Sequence, residues 1–427
     1  MRSREGSAMN LDWEMIKAQL PGDWRELASA MGLIKALPPH LHAKVTDIEQ
    51  VLRLELSRAG LELSLVTTTA MAAAAKECLE GQSAAAESSS LVDISGPALH
   101  YWERKLGPYV AALLARMTGA SEFFAAERWN GYVLVLVDGT TVTRPGAKGT
   151  TARVLYAMRL AEMSIVKLVV TDAHGSESLR HFEPKPGEVW MCDRFYANPV
   201  EISWVVDAGA DVIMRLNRGM LPLYDGRRKS FDVLRHVRRL KSPGAMDEWT
   251  VWVRPEGHAP IQGRLCAVRL PDKEAQEARQ RARREYGADV SPEILEAASW
   301  MMVFTTVPRE RLSMERVLGG YRFRWQIELE IKRDKSIGGM DHLPNLRDDT
   351  IATWLYAKLL NQQIIRKIVS PVVAFPPGGP LVAAFGAALG GAGDAAPPGA
   401  VHRRRGLARR DVRGPSPLGR AVPHRAA

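Results

Sequence analysis

The chain has 427 residues, of which 46% are hydrophobic and 25% are charged. It is long enough for two or three folded domains and ordinary in composition for a globular protein, which excludes a fibrous or wholly disordered chain. The net charge is +10, but residues 401–427 hold eight arginines and one aspartate, so they supply +7 and the other 400 residues only +3. A mildly basic body is compatible with an acidic partner but assigns no function.

The cysteines and the apolar runs exclude further classes of protein. Cys78, Cys192 and Cys266 are scattered without a ligand-like spacing, which argues against a disulfide framework or a zinc site and favours a reducing cytoplasm. The first 30 residues contain no secretory apolar segment, and prolines and glycines interrupt the most apolar run, from Val369 to Leu389. We therefore expect a cytoplasmic protein without a membrane span.

The N-terminal part of the chain, residues 1–125, is predicted to be an all-helical domain because its apolar residues recur with helical spacing. A small-sided stretch over 62–78 precedes a small and polar stretch over 81–90, which predicts a loop. The helical stretches on either side of this loop could pack as a DNA-reading pair. A plain helical bundle explains the same residues equally well.

The second helix of that pair is predicted to begin after Ser95, which is a suitable N-cap, with Pro97 in the first turn. This helix presents two cations, Arg104 and Lys105. They are candidate contacts to DNA phosphates.

From Gly131 onward the apolar residues form short continuous runs, which predict strands buried on both faces. One predicted helix, beginning near Ala197, interrupts them, so the layout is mixed α/β. The predicted strands span residues 132–138, 153–161, 164–173, 188–194, 211–217 and 300–308.

Two aspartates, Asp138 and Asp193, lie at the carboxyl ends of predicted strands, the edge where α/β sheets place ligand sites. Either aspartate alone is more often a cap or turn residue. Arg215 lies at the end of the strand that follows Asp193.

Residues 218–299 interrupt the α/β pattern and predict an inserted, β-rich subdomain with basic faces. Strands are predicted over 249–255 and 263–271, and a strongly charged helix over 272–286. Trp300 begins the strand that returns to the core.

Residues 321–335 are predicted to form a helix with four functional groups on one stripe. At about 100° per residue, the groups fall at about 0°, 300°, 340° and 320°, in the order Tyr321, Arg324, Glu328 and Lys335. A carboxylate can bind a hard divalent cation, and the flanking cations can hold a phosphate. The alternative is a surface helix with ion pairs.

The C-terminal region is predicted to contain an amphipathic helix over 348–369, followed by a change of composition at Pro376. The residues beyond it are rich in Ala, Gly, Pro and Arg, which predicts disorder. An out-of-frame reading of a GC-rich gene would give such a composition. Relatives with the same tail in an intact frame would remove that hypothesis.

Three carboxylates that meet in space could hold two divalent metal ions, and here the candidates are Asp138, Asp193 and Glu328. Ligand sets made only of oxygen favour Mg²⁺ or Mn²⁺ over Zn²⁺. Such a pair of ions promotes phosphoryl transfer. Paired carboxylates also serve glycosidases, but an arginine and a lysine on the same stripe suit phosphate better than sugar.

These motifs resemble those of a known family. The spacing Tyr-x2-Arg-x3-Glu-x6-Lys over residues 321–335 resembles the YREK signature of the bacterial DDE transposases of insertion-sequence family four. The stretches VDGTTV and CDRFYANP resemble the first and second aspartate motifs of that family. The resemblance covers roughly residues 45–369.

The resemblance implies an α/β fold in which an RNase H-like mixed-sheet core is interrupted by the β-rich insertion and preceded by the helical domain. It implies cut-and-paste transposition through a DNA hairpin. The implied enzyme is a nucleoid-associated homodimer that binds double-stranded DNA, both the terminal inverted repeats and the target, with two Mg²⁺ or Mn²⁺ ions per active site.

The resemblance also assigns roles to individual residues. The metal ligands would be Asp138, Asp193 and Glu328. A flipped base would stack on Trp300, because a base needs a flat apolar partner; a core tryptophan at a strand start is the alternative. The other implied contacts to DNA are Tyr321, Arg324, Lys335 and, near the hairpin, Arg215.

The resulting division of the chain is helical residues 1–125, a first core part 126–217, the insertion 218–299, a second core part 300–375 and the tail 376–427. Two alternatives stay open. A catalytically inactive, DNA-binding copy would act as an inhibitor, which the tail favours and the complete set of site residues opposes. Another RNase H-like nuclease, such as a junction resolvase, would cleave DNA without joining it to a target.

Overall fold

The computed structural model of the chain describes residues 13–33, 45, 47–62, 68–69, 94–118, 131–161, 163–287, 290–344 and 346–369. Three sequence predictions fall outside these residues wholly or in large part. They are the loop over 81–90, the small-sided stretch over 62–78 and the tail from 376 onward.

The helices that precede the sheet in the described part of the chain include α1 (Trp24–Ala30), α2 (Ile48–Leu61) and α3 (Gly96–Thr118). The side chain of Asp47 caps α2 by accepting the backbone N–H of Glu49 at 2.9 Å, which satisfies a donor that has no partner within the helix. Helix α3 begins directly after Ser95, where the sequence predicts its N-cap.

One mixed sheet of eight strands forms the centre of the described structure. Its strands lie in the order β3-β2-β1-β4-β5-β8-β7-β6. They are β1 (Val133–Val142), β2 (Ala152–Arg159), β3 (Ser164–Asp172), β4 (Glu188–Cys192), β5 (Asp211–Arg215), β6 (Met246–Val253), β7 (Ile261–Arg269) and β8 (Trp300–Thr305).

Within the described residues, seven more α-helices connect or follow these strands. They are α4 (Pro199–Asp207), α5 (Val233–Val237), α6 (Asp272–Tyr286), α7 (Pro292–Ala297), α8 (Met314–Gly320), α9 (Trp325–Ser336) and α10 (Asp348–Val369). Among the described residues, no helix is both long enough and apolar enough to cross a membrane.

The directions of the strands change at β1. Strands β1, β4 and β5 are parallel to one another. On the other side of β1, strand β2 is antiparallel to β1, and β3 is antiparallel to β2. The chain therefore adds its next strands, β2 and β3, on one side of β1 and the later strands, β4 and β5, on the other side. Open α/β sheets bind ligands at such a reversal of strand order.

Strand β1 is longer than the sequence predicts. The prediction ends the strand at Asp138, but β1 continues to Val142, which pairs with Ala152 of β2. The extra residues include Thr140, Thr141 and Val142, whose β-branched side chains favour extended backbone. Asp138 is therefore the first residue of β1 beyond its pairing with the shorter strand β4, and it is still paired with Tyr156 of β2.

The strands predicted in the insertion continue the core sheet. Strand β7 pairs antiparallel with β8, with Cys266 opposite Val303, and β6 forms the outer edge. The domain boundaries remain a sequence prediction, but hydrogen bonds join the insertion and the core into a single sheet.

Each face of the sheet has its own hydrophobic core. One core joins a face of the sheet to α2, α3, α9 and α10, and it contains the fully buried Trp102 of α3 and Trp354 of α10. The other core lies under α4 and α5. The N-terminal helices thus pack on the same face of the sheet as the helix that carries Glu328.

The stripe predicted over 321–335 is not one continuous α-helix. Residues Tyr321–Arg324 form a 3₁₀ turn between α8 and α9. The two glycines that end α8, Gly319 and Gly320, are poor helix formers. Residues three apart are eclipsed in a 3₁₀ helix, so Tyr321 and Arg324 still lie on one side.

Candidate active site

Asp138 and Asp193 lie side by side at one edge of the sheet. Strands β1 and β4 are parallel neighbours, with Val137 opposite Cys192, so the next residue of each chain is an aspartate. Asp193 stands at the N-cap position of a 3₁₀ turn, but its side chain makes no capping hydrogen bond. The usual structural role of a strand-end aspartate is therefore not realised at Asp193.

The side chains of both aspartates are on the face of the sheet that packs against α9. Side chains alternate along a strand, and Leu136 of β1 and Met191 of β4 belong to the same core as Ile327 and Ile331 of α9. Their neighbours in sequence belong to the opposite core. The alternation thus directs both aspartates towards the helix that carries Glu328.

The guanidinium of Arg324 joins the acidic groups. It donates to Oδ2 of Asp138 at 3.2 Å and also forms an ion pair with Oε1 of Glu328. The side chain of Arg324 is 16% exposed, against 20% for Asp138 and 40% for Glu328. Arg324 is therefore a largely covered cation, whereas Glu328 can still be reached from solvent.

The pKa of Asp138 shows that the three carboxylates share one electrostatic environment. Burial, as the largest cause, together with the charges of Asp193 and Glu328, raises this pKa to about 6 from an ordinary 3.8. Arg324 and the backbone N–H of Gly139 oppose the shift. Repulsion of this kind requires neighbouring carboxylates, and it makes the site attractive to a cation.

Tyr321 and Arg215 belong to the same edge. The Tyr321 hydroxyl donates to the carbonyl of Cys192 at 3.3 Å, directly before Asp193. Burial raises the pKa of the Tyr321 phenol, and Arg324, Asp193 and Arg215 also shift this pKa. Arg215 is exposed at the end of β5, so its guanidinium is available to an anionic ligand.

Lys335 ties the far end of α9 to β1. Its ammonium donates to the carbonyl of Thr141 at 2.9 Å. Glu330, two residues after Glu328, is buried and pairs with Arg333 and Arg366. It thus points away from the site, as its angle on the helix predicts.

The three carboxylates are suitable ligands for a divalent metal ion, although Arg324 forms ion pairs with two of them, Asp138 and Glu328. Within the described residues, no three acidic, histidine or cysteine side chains are already arranged as metal ligands. Three carboxylates nevertheless face one guanidinium, so negative charge is in excess. Oxygen donors of this kind suit Mg²⁺ or Mn²⁺, provided that Arg324 gives up its contacts.

Several bacterial proteins are similar to this chain. The protein assigned as transposase InsL for insertion sequence element IS186A of Escherichia coli K12 is 31% identical over 284 residues, which cover 65% of this chain and 74% of the relative. The counterpart for IS186B and the transposase for insertion sequence element IS421 of Escherichia coli match over the same shares. The chain belongs to the insertion-sequence transposases.

Two other comparisons add little. No protein-family model matches the transposase. A solved piggyBac transposase, in a synaptic complex with hairpin DNA, has 7% identity and a TM-score of 0.38, and the match covers 84% of this chain and 73% of that chain. A similarity at this level carries no argument about the site.

Trp300 of the transposase is packed into the core in this structure. It is 7% exposed, its indole N–H donates to the carbonyl of Leu240 at 3.3 Å, and the guanidinium of Arg269 lies 4.7 Å from the ring centroid. A base could stack on this ring only after Arg269 had moved. Stacking on Trp300 stays a prediction.

Arg104 and Lys105 lie on α3, on the side of the transposase formed by its helices. Arg104 pairs with Asp349 of α10 at 3.0 Å, and the Lys105 ammonium lies 5.8 Å from the Tyr101 ring centroid. Both side chains are exposed, so a contact to DNA remains a prediction for them.

The sequence analysis missed a buried cluster that fixes α9. Asp334 accepts the Tyr156 hydroxyl at 3.0 Å and pairs with Arg366 at 2.6 Å, and Arg366 also pairs with Glu330. Burial raises the pKa of Asp334 to about 6. A signal was present, because Asp334 follows Ile327 at seven residues and therefore lies on the buried face of α9.

A second missed contact links the site to the insertion. Arg194, the residue after Asp193, forms an ion pair with Glu285 near the C-terminus of α6. This pair places the end of α6 near Asp193, at the edge of the sheet that carries the candidate site. Residues 91 positions apart give no sequence signal for such a contact.

Proposed function

We propose that this transposase cuts and joins DNA at the ends of its insertion sequence by phosphoryl transfer at Asp138, Asp193 and Glu328. The carrying observation is that Arg324 contacts both Asp138 and Glu328, while Asp193 follows Cys192 on the parallel strand next to Asp138. The family of the chain provides the substrate class, because the relatives are named as transposases of insertion sequences.

In this proposal the acidic side chains bind metal ions and the basic side chains bind DNA phosphates. The three carboxylates are the groups that would hold Mg²⁺ or Mn²⁺, two ions per site in the proposed form. Bound ions of this kind supply activation of a hydroxyl and stabilisation of the leaving oxygen. Arg324, Lys335 and the exposed Arg215 are cations that can orient the DNA phosphates around the reacting one.

The finer assignment follows the motifs. We propose a DDE transposase of insertion-sequence family four, with an RNase H-like core that contains β1, β4 and α9. The mixed direction of the sheet supports that core, and the Tyr-x2-Arg-x3-Glu-x6-Lys spacing supports the family. In this proposal a homodimer binds the two terminal repeats and then the target DNA.

The proposed reaction passes through a hairpin. A nick at the element end frees a 3′-hydroxyl, which attacks the opposite strand, and water later opens the closed end. The freed 3′ ends then attack target DNA. Base flipping onto Trp300 would relieve the tight turn of the hairpin, at the cost of displacing Arg269.

The deciding experiment is Glu328→Gln, which removes a charge and keeps the size of the side chain. We expect loss of Mg²⁺-dependent cleavage of a duplex that carries one end of the element, while the binding of that duplex is retained. Glu310→Gln is the control, since Glu310 is exposed and belongs neither to the site nor to the buried cluster under α9, so its cleavage should equal that of the unchanged protein. Normal cleavage by Glu328→Gln would remove Glu328 from the site.

The products distinguish this function from the alternatives. Joining of the element end to a second DNA molecule identifies a transposase that is active in strand transfer. Cleavage without joining would indicate a nuclease. Binding without any cleavage, at every metal concentration, would indicate an inactive copy.

A further inference from the structure

Helix α6 of the insertion is charged almost all round and has very little contact with the protein body. Of its fifteen residues only Ala275 and Ala278 are buried. A helix of this kind is not held by a large apolar face. Its charges therefore have to be explained by something other than packing.

The charges on α6 are separated into two sectors. At about 100° per residue, one sector spans about 140° and carries cations and amides, which we call the basic sector: Lys273, Gln276, Arg279, Gln280, Arg283 and Arg284. The one carboxylate in that arc is Asp272, in the first turn. The neighbouring arc, the acidic sector, carries Glu274, Glu277, Arg281 and Glu285.

The acidic sector is the side that is tied to the protein. Glu285 forms the ion pair with Arg194, directly after Asp193. The arginines of the basic sector form no ion pair or side-chain hydrogen bond within the described residues, in contrast to Arg218 and Arg238 nearby, which pair with Glu293 and Glu296. The basic sector thus presents unneutralised charge on the side of α6 turned away from that contact, while Glu285 holds the C-terminal end of the helix near Asp193.

Helix dipole effects do not account for this separation. Cations near a helix C-terminus are favourable, which would explain Arg283 and Arg284 in the last turn. They would not explain Lys273, which lies in the first turns, nor the confinement of the glutamates to the other sector. Arg279 and Arg283, four residues apart, even repel one another slightly.

We infer that the basic sector of α6 binds the phosphate backbone of the element-end duplex whose strand occupies the catalytic carboxylates. This inference rests on the proposed function for the identity of the duplex. Fifteen residues give a helix about 22 Å long, which equals about six base pairs at 3.4 Å each. The ion pair of Glu285 with Arg194 sets the helix close enough to Asp193 for one duplex to reach both.

The test is the salt dependence of DNA binding. Each phosphate contact contributes about 0.9 to the slope of log K against log salt concentration. We therefore expect Arg279→Gln combined with Arg283→Gln to lower that slope by about 2, measured by fluorescence anisotropy of a labelled duplex taken from the end of the element. Arg279→Lys with Arg283→Lys should restore most of the slope.

The matched control lies on the same helix. Arg281→Gln removes one positive charge from the acidic sector, as each basic-sector substitution does, and we expect its slope to equal that of the unchanged protein. Loss of slope in Arg281→Gln as large as that of one basic-sector arginine would overturn the inference, because net charge alone would then explain binding.

The outcome is separable from the proposed function. All these variants keep Asp138, Asp193 and Glu328, and the binding measurement needs no cleavage. An unchanged slope in the double variant would overturn the inference while catalysis by the unchanged protein stands. A shift in oligomeric state with unchanged DNA binding would assign the sector to a second copy of the chain, and it would equally overturn the inference.

Discussion

The guanidinium of Arg324 lies 3.2 Å from a carboxylate oxygen of Asp138. The same guanidinium reaches Glu328, so it holds two of the three groups that are proposed to bind metal. In sequence, Arg324 is predicted to contact DNA. Arg324 can fill the two roles one after the other. A metal ion would compete with Arg324 for the carboxylates, and the released guanidinium could then contact a phosphate.

This competition predicts tighter metal binding when Arg324 is removed. A hydrogen bond to a charged group is worth about 1.5–3 kcal/mol, and a tenfold change in affinity corresponds to about 1.4 kcal/mol. We therefore expect Arg324→Gln to bind Mn²⁺ at least about tenfold more tightly than the unchanged protein. Calorimetric titration without DNA measures this directly.

The control for that titration is Arg322→Gln. Arg322 is exposed and only two residues away, so it removes the same charge without touching the carboxylates. Equal affinities in the unchanged protein and in Arg324→Gln would show that Arg324 does not compete with the metal.

The raised pKa of Asp138 predicts how its charge affects stability. Burial, the largest cause, raises the pKa to about 6 from 3.8, so the folded protein binds this proton more tightly than the unfolded chain. The contribution of Asp138 to the free energy of unfolding is therefore favourable below about pH 4 and is lost as the pH rises to about 6. The loss is on the order of 3 kcal/mol, at about 1.36 kcal/mol per pKa unit.

Asp138→Asn tests that sign, because the amide cannot ionise. We expect its free energy of unfolding in urea to exceed that of the unchanged protein at pH 8, and the difference to shrink towards pH 4. The exposed Asp341 provides the control, since Asp341→Asn should change stability little at either pH. A lower stability of Asp138→Asn at pH 8 would mean that the carboxylate is stabilising instead.

Much of the sheet can be predicted from the sequence, because strands are recognised by local apolar runs. The strand predicted over 164–173 is observed over Ser164–Asp172, and that over 153–161 over Ala152–Arg159. The pairing of β7 with β8 could not be predicted. It joins residues separated by two helices, and local propensity does not specify which strands pair.

The candidate site could be predicted in part, because its acidic residues lie in local motifs next to recognisable strands. The motifs locate the acidic residues, and parallel pairing of β1 with β4 brings Asp138 and Asp193 together. The contacts of Arg324 depend on its side-chain conformation and on a 3₁₀ turn after Gly320, which no spacing reveals. The helical period places Asp334 on the buried face of α9, whereas carboxylates are mostly exposed in folded proteins, so composition alone does not predict its burial.

The buried cluster under α9 predicts a large effect of Arg366. Arg366→Ala would leave the buried carboxylates of Glu330 and Asp334 without their main cation. Removal of one partner from a buried ion pair costs about 3–5 kcal/mol, and we expect a loss near the lower value because Arg366 is 30% exposed. Urea denaturation at pH 7 gives the difference.

Arg333 offers the comparison for that measurement. It also pairs with Glu330, but its side chain is 58% exposed, and exposed pairs contribute about 0–1 kcal/mol. Arg333→Ala should therefore cost less than about 1 kcal/mol. Equal losses in the two variants would show that the cluster does not hold α9 in place.

Trp300 is predicted to act in hairpin formation more than in the first nick. Stacking of a base on an aromatic ring is worth about 1–3 kcal/mol, so Trp300→Ala should slow hairpin closure by about 5- to 150-fold relative to nicking. The ring is buried and covered by Arg269, and its removal also costs stability of about 3–5 kcal/mol. The folded fraction of each variant must therefore be measured at the assay temperature.

Trp300→Phe separates the two effects, because phenylalanine keeps a flat apolar face while it loses the indole N–H donated to Leu240 and part of the ring area. We expect hairpin closure by Trp300→Phe to lie between that of the unchanged protein and that of Trp300→Ala. Gel analysis of nicked and hairpin products over time gives both rates. If nicking and closure slow to the same extent in Trp300→Ala once the folded fraction is corrected, Trp300 is a core residue and no base stacks on it.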